Sequence, residues 1–362
     1  MNIVYFSHLS NSIYAGPNFS VPAGINAQSE FDNCLWVNLT NADQPHWHSV
    51  SCFHNVSEFG RKFSLESLPA PFNNPDLVVF EGFYWFPEVR ISWLLRKKGI
   101  PYIIVPRGSL TRQAMNNHSS LKKRMAHFLF FDGYCRHALA IQYLTEKECA
   151  DSYRDWNQRS FILPNGFSLP NRKKEFFSKK GIKMVFIGRP DKYHKGLDLL
   201  WEAMRQIRDE LYLNDVTLNF YAPKDKADYN ELFDLVDSYG LHGIVSMHDK
   251  IGGQEKEEAL LSSDVFVLTS RFEGHPMGLI EALAYGLPCL VSTGTNMRSE
   301  IEVSGAGWTC DASVDSIVNA LRKMLSTRES FINKSQNARE LAIKYDWRVI
   351  AKKFDEEIKK LI

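Results

Sequence analysis

Three short stretches in the second half of the chain hold residue types suited to gripping a charged, hydroxyl-rich ligand. The first is Gly188-Arg189-Pro190-Asp191-Lys192-Tyr193-His194-Lys195-Gly196. Gly188 permits a tight turn after a strand. Arg189 offers a planar fork to phosphate oxygens and Lys195 a compact charge, a pair that suits a diphosphate. The second is Glu273-Gly274-His275-Pro276-Met277-Gly278-Leu279-Ile280-Glu281. Here Pro276 fits the first helical position, and the free N–H groups of the following turn favour an anion. Gly274 and Gly278 leave room for a ligand, while Glu273 on the loop and Glu281 on the helix can hold hydroxyls at two ends of it. The third, Thr293-Gly294-Thr295-Asn296 leading to Glu300, is a small-residue loop whose amides and hydroxyls are expected to face the same ligand. Solvated cations and ordinary helix-start glutamates would explain each piece singly, but not the Gly-Pro-Gly setting of the two glutamates.

Groups of this kind need strand ends to carry them. β-rich runs at Ile3–Phe6, Leu35–Leu39, Leu77–Phe80, Tyr102–Val105, Ala138–Tyr143 and Phe161–Leu163 are followed by a second set. That set is Met184–Ile187, Thr217–Tyr221, Ile244–Met247, Val265–Thr269 and Cys289–Ser292. Helical patterns lie between them, at Leu197–Leu211, Asp228–Tyr239, Glu255–Ser262 and Pro276–Tyr285. Such alternation predicts parallel sheets of the α/β class. A Pro/Asn/Gly/Lys-rich stretch at Pro164–Phe177 divides the pattern. The expected organisation is a Rossmann-like domain over 1–168, a second over 169–345 and a helix over 346–362 that packs back toward the first. Ligands of open parallel sheets bind beyond the carboxyl ends of the strands, so two such domains facing across a cleft would share one site.

Composition narrows the classes. The chain has 362 residues, 44% of them hydrophobic and 23% charged, with a formal charge of +1. That balance gives no bulk electrostatic case for nucleic acid. Six scattered cysteines contain no Cys-x-x-Cys pair, which fits free thiols in a reducing compartment. His46, His48 and His54 are irregularly spaced with no neighbouring cysteine and read as loop residues, so no metal site is expected. The start MNIVYFSHLS reads as a strand and not a signal peptide, and no run of apolar residues is long enough to span a bilayer. The expected location is the cytoplasm. Because strand one runs into Ser7-His8-Leu9-Ser10-Asn11, the Gly-x-Gly-x-x-Gly of a dinucleotide-dependent oxidoreductase is missing.

Taken together, Gly188-Arg189, Lys195-Gly196, Ser270 and the stretch EGHPMGLIEALAYGLPCLVS resemble the retaining glycosyltransferases of family 4, which have the GT-B fold. Pro164-Asn165-Gly166 resembles that family's interdomain turn and Tyr345-Asp346-Trp347 the entry to its last helix. The resemblance implies that Arg189 and Lys195 neutralise the departing diphosphate of an NDP-sugar. It implies further that Glu281 holds the ribose, that Glu273 meets sugar hydroxyls, and that Ser270, Gly274, His275, Pro276, Met277 and Gly278 line the donor site. Gly16, in Ala15-Gly16-Pro17-Asn18, resembles the glycine loop that closes over the phosphates. Many members have His-Gly after the fourth strand; this chain has Arg107-Gly108, a form resembling a subset of bacterial envelope-polysaccharide enzymes. Arg107 and Gly108 are expected to contact acceptor or phosphate, without the histidine's role, and His118 is read as a loop residue.

The activity so implied is sugar transfer from a UDP- or GDP-linked donor to a lipid-linked oligosaccharide of an O-antigen or capsular polysaccharide, with no cofactor. Base recognition is expected near His248–Gly252. The absence of Asp-x-Asp implies metal independence. Lys122-Lys123-Arg124 beside apolar His127–Phe131 reads either as a solvated helix face with a buried opposite side, the commoner case, or as a basic-aromatic face for the anionic cytoplasmic side of the inner membrane. Two other readings share these residues: a GT-B epimerase or phosphorylase, and a non-catalytic sugar-nucleotide-binding scaffold. Product analysis separates the first, and turnover of a labelled donor the second.

Overall fold

In the computed structural model, every residue is described except 13–15, 61–62, 113, 115–124, 126 and 153–155, with residues 127 and 128 described by backbone alone. His118 and the Lys122–Arg124 patch therefore lie outside the described residues. The chain forms two units: Met1–Gly166 together with Trp347–Ile362, and Phe167–Asp346.

The first unit is built on β1 (Asn2–Ser7), β2 (Asn33–Asn38), β3 (Phe53–Asn55), β4 (Leu77–Glu81), β5 (Tyr102–Val105), β6 (Ala140–Tyr143) and β7 (Ser160–Ile162). They lie in the order β3-β2-β1-β4-β5-β6-β7, and each pairing is parallel. Both faces of this sheet are covered, which explains why Ile3–Phe6 is a continuous apolar run and not an alternation. Val4 and Phe6 enter one core with Leu35 and Phe80, while Ile3 and Tyr5 enter the other with Val21 and Ile25.

Helices of this unit that bear on function are α1 (Pro17–Gln28), α2 (Phe86–Lys98), α3 (Asp132–Arg136) and α4 (Glu146–Asp151). The final helix, Trp347–Leu361, also belongs here. Its Ile350, Phe354 and Ile358 recur at four-residue spacing, and all three are buried in the Ile3/Tyr5 core. Close packing requires Gly24 on α1, where a Cβ would sit 3.1 Å from the Trp347 ring.

The second unit contains β8 (Ile182–Ile187), β9 (Val216–Tyr221), β10 (Val245–His248), β11 (Val265–Leu268), β12 (Cys289–Ser292) and β13 (Gly307–Cys310). Their order is β10-β9-β8-β11-β12-β13, again all parallel. Its helices are α5 (Leu197–Gln206), α6 (Arg208–Leu213), α7 (Ala227–Ser238), α8 (Gly253–Ser262), α9 (Met277–Ala284), α10 (Arg298–Ser304), α11 (Val314–Ser326) and α12 (Phe331–Ile343); the C-terminal helix of the first unit follows as α13. Each unit is thus a Rossmann-like α/β domain.

Several boundaries differ from the sequence expectation. The helix expected over Leu197–Leu211 is broken at Ile207, whose φ of −113° and ψ of 24° leave the helical region. Short β3 and β13 were not foreseen; each lies at an edge of its sheet, and β3 is half-buried along its length. Pro276 is the cap and not the first helical residue: its ψ of 82° is extended, and α9 begins at Met277.

Candidate functional site

In the second unit the chain leaves β8 toward β9 on one side and β11 toward β12 on the other, so β8 and β11 flank the topological switch point. The first two chemical stretches follow these two strands. Gly196 caps α5 with φ +60°, and a Cβ there would lie 2.2 Å from the Thr269 carbonyl oxygen. Only glycine meets both demands, and it lets the Gly188–Gly196 loop sit directly on the end of β11. The Thr269 hydroxyl returns a bond to the Gly196 carbonyl at 3.2 Å.

Arg271 completes the joint. Its N–H donates to the His194 carbonyl at 2.8 Å. Its guanidinium holds both Asp198 oxygens at 2.7 and 2.8 Å, donates to the Tyr193 carbonyl at 2.9 Å and lies over the Tyr193 ring. This two-pronged geometry fixes direction as well as distance. Within the loop, Asp191 accepts from the His194 N–H and pairs with its imidazole at 2.8 and 2.7 Å. Burial alone would raise the Asp191 carboxyl, but these His194 contacts, with Arg189 nearby, hold it below the usual range.

The consequence is a compact polar cluster. Lys195 Nζ lies 2.6 Å from Glu273 Oε1, and the Ser270 hydroxyl donates to the same oxygen at 2.5 Å. The Lys195 and Glu273 side chains are only 16% and 12% exposed, so the pair is shielded yet open to a ligand. Arg189, at the end of β8, is exposed and makes no ion pair or hydrogen bond with another described residue. Glu281 on α9 pairs with Lys256 on α8. His275 places its ring 5.9 Å from that of Tyr345.

Three expectations are corrected in detail. The Met277 N–H donates to the His275 carbonyl at 3.0 Å, so this amide is engaged inside the turn. Gly278 faces the Ile187 carbonyl, 3.5 Å from where a Cβ would be; the space there is filled by the end of β8. Gly274 by contrast has nothing within 4 Å of that position. The Thr293–Asn296 loop acts as a buttress: Ser292 donates to the Ser270 carbonyl at 2.5 Å, and Asn296 donates to the carbonyls of Glu273 and Gly274. A Cβ on Gly294 would fall 2.2 Å from the Ser270 carbonyl, so this loop is pressed against β11's exit.

In the first unit Gly16 is the N-cap of α1, with nothing among the described residues within 4 Å of where a Cβ would be. Arg107, with φ +49°, points inward: Nε and Nη2 contact Glu81 at 2.9 and 2.8 Å, and Nη1 contacts Ser20 and Asn165 at 3.2 and 3.1 Å. Its guanidinium thus ties β4, α1 and the end of the unit together. The Gly108 N–H donates to the Glu148 carboxylate. The three loop histidines have separate partners, His46 with the Asn18 carbonyl, His48 with Asp43 and His54 with Glu58. Among the described residues no group of three or more His, Cys, Asp or Glu is placed to hold a metal. In the expected base region, burial and then Lys224 lower the pKa of His248, which stacks on Tyr221 at 4.8 Å.

Sequence reasoning missed Arg271, Asp198 and Lys256. Arg271 carried a signal, since it lies between Ser270 and Glu273 in the richest stretch.

Comparison with known proteins gives the same segment prominence. Residues 168–342 match the family described as "Glycosyl transferases group 1". An uncharacterized glycosyltransferase of Methanocaldococcus jannaschii is 30% identical over 174 residues, covering 47% of this chain and 42% of that protein. The N,N'-diacetylbacillosaminyl-diphospho-undecaprenol alpha-1,3-N-acetylgalactosaminyltransferase of Campylobacter jejuni is 24% identical over 191 residues, covering 51% and 47%. The chain therefore spans about half the length of the curated relatives it matches. Anabaena HepE, solved in complex with UDP, shares the fold over 99% of this chain and 100% of its own, with a TM-score of 0.74 at 16% identity.

Proposed function

We propose that this chain, whose residues 168–342 match the family described as "Glycosyl transferases group 1", is a retaining, metal-independent GT-B enzyme that moves a sugar from an NDP-sugar to a lipid-linked glycan of a bacterial surface polysaccharide. The observation that carries this reading is the Lys195–Glu273–Ser270 cluster at the switch point between β8 and β11. A cation already held by a carboxylate can turn to a diphosphate at little reorganisation, while Glu273 turns to the sugar hydroxyls. Arg189, free of a described partner, adds a second positive charge.

In the step itself the acceptor oxygen forms a bond to the anomeric carbon as the carbon–oxygen bond to the diphosphate breaks. The diphosphate leaves with the electron pair, and its oxygen takes the acceptor's proton on the same face. No side chain has to act as nucleophile. The protein supplies orientation and positive charge. Glu281, beside Lys256, binds the ribose of a UDP or GDP donor.

The Campylobacter relative is named for a diphospho-undecaprenol acceptor; an acceptor of that chemistry requires approach to a membrane. No helix among the described residues is long and apolar enough to cross one. Helix α2 supports a peripheral contact instead. Phe86, Arg90, Trp93 and Lys97 recur along its exposed side, with Phe86 and Trp93 56% and 55% exposed. Exposed Phe130 sits 5.4 Å from the Phe86 ring. Aromatic and basic side chains in one stripe suit an anionic headgroup layer, such as the cytoplasmic face of the inner membrane.

The test is a screen of labelled UDP- and GDP-sugars against diphospho-undecaprenol-linked monosaccharides, followed by anomeric analysis of the product. A new glycosidic bond with the donor's configuration kept is the expected result. An inverted product would remove the retaining mechanism, and donor binding without turnover would leave a scaffold.

A further inference from the structure

The first unit has a switch point of its own. Its chain leaves β1 toward β2 on one side and β4 toward β5 on the other, so the crevice lies beyond the ends of β1 and β4. The residue directly after β1 is His8, and the residue directly after β4 is Gly82. In the second unit the matching exits lead into Gly188–Lys195 and Ser270–Glu273, the cluster assigned above to the donor. His8 therefore holds the corresponding place in a unit for which that assignment gives no ligand.

Its imidazole is fixed from three directions. Trp85 stacks on it with ring centroids 5.4 Å apart and planes 10° from parallel. Gly82, with φ +131°, lies so close that a Cβ would be 2.3 Å from Cε1. Nδ1 lies 2.8 Å from Oε1 of Glu88 on α2. Glu88 is wholly buried, and the Tyr134 hydroxyl donates to its other oxygen at 3.5 Å.

A carboxylate taken fully out of water is costly, and an apolar side chain at position 88 would fill that core without the cost. Burial accordingly raises the Glu88 pKa, with His8 and then Tyr134 opposing the rise. What this arrangement provides is a ring that cannot rotate, left 25% exposed. When Nδ1–H donates to Glu88, Nε2 presents a lone pair, and no described residue is hydrogen-bonded to it. Beside it, the indole N–H of Trp85 is enclosed and meets no acceptor among the described residues.

We propose that His8, oriented by Glu88, binds the acceptor glycan: Nε2 accepts a hydrogen bond from a hydroxyl next to the one that reacts, with the ring held in place by Trp85 stacked on it. The inference rests on the transferase reading above. His8 takes no proton in the transfer step; the reacting hydroxyl's proton goes to the departing diphosphate. The titratable groups bearing on the pair are Glu88, Tyr134 from α3 and, further off, Glu81 at the end of β4.

The experiment compares the full-length chain with its His8→Ala, His8→Gln and Glu88→Gln variants. Two rates are followed with the same labelled donor: transfer to diphospho-undecaprenol-linked monosaccharides, and hydrolysis of the donor without acceptor. In His8→Ala the acceptor KM should rise about 10-fold or more, the worth of a lost substrate hydrogen bond, with donor KM and hydrolysis unchanged. In His8→Gln, whose side chain can still meet a hydroxyl, the rise should be smaller, and Glu88→Gln, which removes the carboxylate that orients the ring, should raise the acceptor KM with donor KM and hydrolysis unchanged. An unchanged acceptor KM in His8→Ala overturns the assignment, as does a parallel loss of hydrolysis and thermal stability, which marks a structural role. Wild-type protein that transfers to none of these acceptors overturns the function itself, an outcome distinct from failure of His8 alone.

Discussion

Arg271 grips Asp198 through two guanidinium nitrogens, at 2.7 and 2.8 Å, across 73 residues of sequence. This pair braces the two segments that carry Lys195 and Glu273. An Arg271→Lys variant keeps the charge but loses the fork. Because Asp198 is 35% exposed, the stability loss should be about 1 kcal/mol or less. Turnover should fall further, on the order of 10- to 100-fold, through misplacement of Lys195. Urea melts beside kcat/KM values check the two effects separately.

Gly196 is the pivot of the same joint. A Gly196→Ala substitution puts a side chain at φ +60° and into the Thr269 carbonyl. Strain of this kind costs about 1–3 kcal/mol, and the Thr269 overlap adds to it. Chemical denaturation should show the loss, with turnover reduced as well because the loop is lifted off β11.

Asp191 predicts a pH dependence. Its carboxyl lies below the ordinary value in the folded chain, so the folded state binds its proton less readily than the unfolded state does. Its stabilisation is present above the unfolded pKa of about 3.9 and is lost as the pH falls through the lower folded value. Asp191→Asn should therefore unfold at lower urea than wild type at neutral pH. The gap should narrow as the pH falls below the ordinary carboxylate range. Equal gaps at neutral and acid pH would show that Asp191 does not act through its charge.

Helix α2 gives a surface prediction. Trp93→Ser with Arg90→Gln and Lys97→Gln should reduce co-sedimentation with vesicles containing anionic lipid, while leaving the melting temperature unchanged. The three side chains are exposed, so folding has little to lose. Unaltered co-sedimentation would remove α2 from the membrane contact.

Much of this architecture was legible because each unit repeats a local signal. Continuous apolar runs such as Ile3–Phe6 mark strands buried on both faces, and their alternation with helices predicts parallel order. The chemical residues near Gly188 and Glu273 were legible for a related reason: a strand exit, a glycine and a helix start follow one another within a few residues. What joins those stretches was not. Arg271 with Asp198, Lys256 with Glu281 and Asn296 with Glu273 are contacts between loops of different strands, and only the sheet order brings them together. Arg107 shows the reverse difficulty. Its sequence setting suggested a ligand contact, yet Glu81, Ser20 and Asn165 together engage its guanidinium, and none of the three is near it in sequence.

Arg189 offers the cleanest trial of the donor site. It is exposed and unpaired among the described residues, so removing it should leave the fold intact. With saturating donor, Arg189→Ala should transfer sugar about 10²- to 10³-fold more slowly, by analogy with loss of one preorganised donor to a developing anion. Full-speed transfer by that variant would contradict the assignment of the β8 exit to the departing diphosphate.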